Sequence, residues 1–548
     1  MRLLVLGVLV ALAPPVVAGE TDDAHDHGEK LGTVHLATSC KAEAQPLFDR
    51  GVALLHSFAY AQAAAAFGDV LAADPACAMG PWGIAMSYFH TIWAPPTAEE
   101  LANGGAAARR AVELGGTTDR ERAYIAAVAT FYRDTDTLDH RTRVKAYEQG
   151  MAETARAFPD DDEAAIFHAL ALLGVAYNSP PDKTYLLQKQ AASILNGLLP
   201  RHPDHPGIAH YMIHSFDYPE LASLALPAAR AYAAIAPDAS HALHMPSHIF
   251  IRLGLWAESI RSNLASAEVG TRLIARSHPG ASSFNALHAA DYLAYAYLQS
   301  AQDAKARELV ELVDRVTALD DPSSFAAGFA MVTVPARYAL ERRQWREAAS
   351  LPDPPQFFPW DKHPYAAANT EFARAVGAAR SSDPEAARRS LARLTEIQRA
   401  TAATQKGFDW ATQVEILRLA AAGWVAHAEG REEEALRLLR AAADLEDTAD
   451  KHPVTPGALL PAREQLADLL LALGDAPASL AEYERALRMQ PARYNSLHGA
   501  ALAAERLGQR ERAKELRGEL AAQCQQGDGE RAKLVREKGS APSPRRGP

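Results

Sequence analysis

Six histidines and two aspartates are the residues here whose spacing could do chemistry. In HYMIHSFD, His210 and His214 stand four residues apart; in HALHMPSHIF, His244 and His248 do the same, with His241 just upstream. Residues four apart on a helix share one face about a turn apart, a workable spacing for two imidazoles on one ion. Two such pairs, His210, His214, His244 and His248, supply three or four nitrogen ligands. That set suits copper, zinc, nickel or non-haem iron better than calcium or magnesium. Asp217, and Asp291 behind His288 in LHAADYLAY, offer an extra ligand or an acceptor for an imidazole N–H. HMPSH is not the HExxH zinc-protease motif, because the water-activating Glu is absent and Pro246 sits between the histidines. Proline removes a helix hydrogen bond, so a helix start or a kink is expected there, moving His244 away from a clean turn before His248. A second reading is open for the same residues: the rings bond carbonyls and carboxylates and shape a polar groove without metal.

Helical hairpins must position these rings. Residues 44–77 match the 34-residue tetratricopeptide pattern, with Leu47, Gly51, Leu54, Tyr60, Ala63, Phe67 and Pro75 at positions 4, 8, 11, 17, 20, 24 and 32. Small residues at 8 and 20 let two antiparallel helices approach, and larger ones fill the space between them. The spacing recurs in 206–237, 240–273 and 460–493, and GREEEALRLLRAA is a further second-helix signature. In such a stack the first helix of each hairpin lines a concave face, with positions 2, 5, 9, 12 and 13 pointing into it. His210 and His214 take positions 5 and 9; His241, His244 and His248 take 2, 5 and 9; His288 takes position 2 and Asp291 position 5. His56 and His90 fall at position 13, as does Arg252, which either holds an anionic group or is a solvated groove residue. Trp82, Trp93, Trp256, Trp345 and Trp424 read as core, as do Tyr211, Tyr292 and Tyr295. The remaining histidines, His205 among them, form no constellation.

The expected fold is therefore all-α, a right-handed tetratricopeptide solenoid. Residues 42–350 form an N-terminal array and 367–525 a C-terminal one, separated by the proline-rich 351–366. Ala and Leu dominate a chain that is 48% hydrophobic and 22% charged, which favours helix. The net charge of −11 is spread along the chain without a basic patch, which argues against a nucleic-acid partner. MRLLVLGVLVALAPPVVAGE reads as a signal peptide over 1–18, so a periplasmic or secreted location is expected, without membrane insertion after cleavage. Residues 19–41, with His25 and His27, read as a mobile arm, and 526–548 as a disordered tail. In an oxidising compartment Cys40 and Cys77 are expected to pair, leaving Cys524 over.

HMPSHIF followed by RLG and W, HPDHPGIAHYMIHSFDYPELA, and TVHLATSC followed by FDRGVALLHSF resemble a family of secreted bacterial tetratricopeptide proteins over residues 33–300. The resemblance covers His56, His90, His210, His214, His244 and His248, with His241 and His288 similarly placed. It implies a fold and a location, and no reaction. Two functions stay open: a groove that binds a partner protein, peptide or small ligand with no cofactor, or a metalloprotein holding copper, zinc or iron. Nucleophile elbows, phosphate loops and dinucleotide fingerprints are absent.

Overall fold

Alanine-rich helices pair with their neighbours along the whole chain of this computed structural model, which describes residues 29–539 apart from Trp93, Gln405 and Lys406. Among the described residues there is no strand, only one isolated bridge between Ser282 and Leu319. Hairpins appear where the repeat pattern places them: Gln45–His56 with Tyr60–Ala73, Pro206–Phe216 with Leu226–Ile235, and Ala462–Ala472 with Ala476–Met489. Close approach inside a hairpin depends on the small residues. A Cβ on Gly51 would lie 2.7 Å from the Phe67 ring, so position 8 must stay bare for position 24 to fill the gap. The fold is thus a helical-hairpin solenoid.

The largest buried apolar cluster runs from Leu31 to Phe250, and a second from Ala336 to Leu470. Residues 351–363 carry no helix, as their prolines require. Even so, Phe325–Glu341 and Pro364–Arg380 pack against each other, so the stack crosses this segment without a gap. The far half also returns onto the middle of the chain. Trp256 donates its indole N–H to the Ala492 carbonyl, Tyr292 its hydroxyl to Pro453, and Arg337 its guanidinium to Gly457 and Ala458.

Two expectations need correction. From Glu29 onward the N-terminal arm is packed: Leu31 and Leu36 are buried, and the Thr33 amide donates to the Asp204 carbonyl. Gly32, at φ +86°, permits that contact, since a Cβ there would lie 2.8 Å from the same carbonyl oxygen. The C-terminal tail is helical over Gly529–Gly539. Ala532 and Val535, one turn apart, bury a small apolar face, and Arg531 pairs with Asp303 at 2.9 Å. The signal-peptide stretch, His25, His27 and Trp93 lie outside the described residues. No described helix is long and apolar enough to cross a membrane. Cys40 and Cys77 form a disulfide that ties the start of the first hairpin to its end, and Cys524 is free and buried.

Candidate metal centre

The histidines converge as two triads, in place of the single four-histidine set expected. His210, His214 and His241 form one, and His244, His248 and His288 the other; within each, three ligand nitrogens lie within 4.8 Å of one another. One rule builds both. Positions 5 and 9 of a first helix meet position 2 of the next hairpin's first helix, because successive first helices stack side by side. Pro206–Phe216 carries His210 and His214, Ser240–His244 and Pro246–Arg252 carry the next three, and Phe284–Gln299 carries His288. Pro246 does interrupt its helix, but Met245 keeps helical dihedrals (φ −52°, ψ −37°), and the His244 and His248 Nε2 atoms still lie only 3.0 Å apart.

Hydrogen bonds fix where the protons are. The His210 Nδ1–H donates to the His56 carbonyl at 2.6 Å, and a carbonyl can only accept. The Asn263 amide donates to the Ser259 carbonyl, which turns its oxygen toward His244 Nδ1 at 2.7 Å. Asp217 accepts from His248 Nδ1 at 3.0 Å. These three neutral rings therefore present bare Nε2 lone pairs inward. His210 Nε2 faces His214 Nε2 at 3.1 Å and His241 Nε2 at 3.2 Å. In the second triad two bare lone pairs, on His244 and His248, face each other directly. A positive charge between them would relieve the repulsion of the two lone pairs. A proton is disfavoured, because burial pushes His244 well below, and His248 below, the ordinary histidine range. Burial does the same to His210, His214, His241 and His288, reinforced by their histidine neighbours. A transition-metal ion fits. Two nitrogens each about 2.1 Å from one ion at a tetrahedral angle lie about 3.4 Å apart, close to these separations.

The triads adjoin each other, with ring centroids 6.3 Å apart for His214 and His248 and 6.1 Å for His241 and His244. Their surroundings differ. Asp217, behind His248, is buried and also pairs with Arg252 at 2.9 Å and Lys451 at 3.4 Å. Burial pushes its carboxyl up, but those two cations and the His248 bond outweigh it and hold it well below its ordinary range. Burial likewise brings Lys451 down to about 8, against the pull of Asp217. The first triad instead borders a cavity of about 1430 Å³ that His241, Phe58 and Tyr177 help to line; no residue of the second triad does.

The other predicted residues fall elsewhere. Asp291 turns to the buried Arg337, at 3.6 Å, and takes no part in either triad. Arg252 neutralises Asp217 and leaves no guanidinium for a groove anion. His90 caps its helix in a left-handed conformation (φ 49°), 3.6 Å from Glu100, on the cavity wall. His56 joins a third group with two residues the sequence left unmarked, Glu163 and His205. There the Tyr211 hydroxyl donates to His56 Nδ1 at 2.8 Å, and His56 Nε2–H donates to Glu163 at 3.0 Å. His205 Nε2–H donates to the second Glu163 oxygen at 2.8 Å, while its Nδ1 accepts from the Ile208 amide. Each proton in this group has an acceptor. Asn263 and Lys451 also escaped the sequence reading.

The rings are buried, not displayed on a concave face: His210, His214, His244 and His248 are at most 2% exposed. No family model matches the chain, and no curated protein matches it in sequence. The crystal structure of yeast Tom70 is similar over 91% of this chain and 95% of its own, at 12% identity and a TM-score of 0.27. At that score nothing about function passes from one chain to the other.

Proposed function

We propose that this chain is an exported metalloprotein holding two adjacent transition-metal ions, copper or zinc, one in each histidine triad. The observation that carries the reading is the lone-pair opposition of His244 and His248, with Nδ1 of both rings already committed as donors. Three-imidazole sets without a carboxylate ligand favour copper or zinc over the two-histidine, one-carboxylate pattern of non-haem iron. Asp217 and Asn263 act behind the ligands, setting ring tautomer and orientation. An oxidising location outside the cytoplasm fits the signal-like first residues and the Cys40–Cys77 disulfide. A helical-hairpin stack also suits partner-protein binding. A peptide groove built on these histidines, however, lacks exposed rings.

The test is elemental analysis of untagged mature protein. Two equivalents of copper or zinc are expected, with none retained by a variant carrying His210→Ala, His214→Ala, His244→Ala and His248→Ala that keeps its helical circular dichroism. Metal-free wild-type protein that cannot be loaded would end the proposal.

A further inference from the structure

The cavity beside the first triad has a wall of unusual make-up. Phe58, a non-glycine residue held at φ 53°, lays its ring against all three imidazoles, with centroid distances of 4.3 Å to His210, 5.7 Å to His214 and 5.5 Å to His241. Tyr60 stacks on Phe58 at 5.2 Å and an interplanar angle of 17°, and His90 lies 4.6 Å beyond Tyr60. The series runs along the cavity and ends at the triad. Left-handed backbone costs a phenylalanine about 1–3 kcal/mol, so the packing around it specifies this ring position. Phe325, Phe408 and Trp410 line the same cavity.

Charge narrows what the wall can receive. Glu100, Asp320, Asp321 and Asp361 line the cavity against a single Lys362, which disfavours carboxylates and phosphates. A protonated amine has no lone pair for an ion. A hydroxyl on a ring, made more acidic by an ion, can lose its proton to solvent in the cavity and bind the ion through its oxygen, while its ring lies on Phe58 and Tyr60. The volume exceeds that of a single ring.

We infer that the cavity-facing triad keeps an open coordination position for a neutral hydroxyaromatic ligand, whose ring is seated by Phe58 and Tyr60. This rests on the metal reading above and names the ligand class of that same site. Two probes separate the two ideas: 4-nitrocatechol, which needs both ion and wall, and azide, which needs only the ion. Copper(II)-loaded full-length mature protein is titrated with each at about pH 5.5, where 4-nitrocatechol is mainly neutral, and followed by visible absorption, with metal content measured on the same samples. Saturable spectral change with 4-nitrocatechol is expected, weakened about five- to tenfold in Phe58→Leu and in Tyr60→Leu, with azide affinity unchanged in both. Azide binding without 4-nitrocatechol binding, or loss of both affinities in equal measure, overturns the ligand class and leaves the metal site standing. Protein that takes up no copper overturns both.

Discussion

At His56, Glu163 and His205, every ring nitrogen meets a partner of the opposite kind: a hydroxyl or amide hydrogen on one side, a carboxylate oxygen on the other. At His244 and His248 two acceptors meet instead. Both groups bring three candidate ligands within the same 4.8 Å, so proximity does not distinguish them. Proton placement does. A carboxylate among imidazoles lets hydrogen bonds close the network by themselves. Imidazoles alone, with their other nitrogens taken, need a cation. The first group is accordingly a structural cross-link between hairpins, and the proposed ions belong to the two triads.

That contrast can be broken by removing metal. Each bound ion stabilises the fold by about 4 kcal/mol when free metal stands a thousandfold above its Kd. Chelation of both should therefore lower unfolding free energy by about 8 kcal/mol in denaturant titration. A chelated protein as stable as the loaded one would place the triads with the cross-link. A smaller effect is expected for Asp217→Asn. It leaves Arg252 and Lys451 without their shared carboxylate, at about 3–5 kcal/mol, and weakens the inner ion about 10- to 100-fold. The outer ion should keep its affinity in competitive chelation; equal weakening of both would show that the triads are not separately supported.

Smallest is Glu163→Gln, expected to cost about 1–3 kcal/mol while two ions remain bound. Loss of an ion in this variant would mean that the cross-link ligates metal after all. Its pH dependence sharpens the point. Burial pushes the Glu163 carboxyl up, but His205 and His56 outweigh that and hold it below its ordinary 4.5. The unfolded chain then binds this proton more readily than the folded one. The contribution is complete above pH 4.5 and drains away as pH falls below it, toward the folded value. Wild-type protein should lose stability down that acid limb more steeply than Glu163→Gln.

Repeat register made the hairpins legible in the sequence, and it placed six rings at positions 2, 5 and 9. It did not show how they divide. Grouping His210 with His244 follows from equal positions in adjacent repeats, but stacked first helices are offset, and the offset brings His241 to His210 and His288 to His244. Burial was equally hidden. A concave face reads as exposed until one knows that 449–461 crosses it, bringing Lys451 to Asp217 from far along the chain. Glu163 gave no signal, because an acidic residue in the first turn of a helix is ordinary. Asn263 sits on a second helix, Trp256–Ile274, and second helices do not line the concave face.

The crossing of that late segment has a consequence for how the protein is made. Lys451 lies 234 residues after Asp217, and Pro453 lies 161 after Tyr292. A chain released N-terminus first presents all six imidazoles well before the stretch that packs on Asp217 and Tyr292 beside the second triad. On the proposed metal reading, an ion at the second triad would be most easily acquired by an unfinished protein and hardest to exchange in a mature one. An ion at the first triad would stay in reach of the surroundings through the cavity that His241 lines, for the life of the molecule.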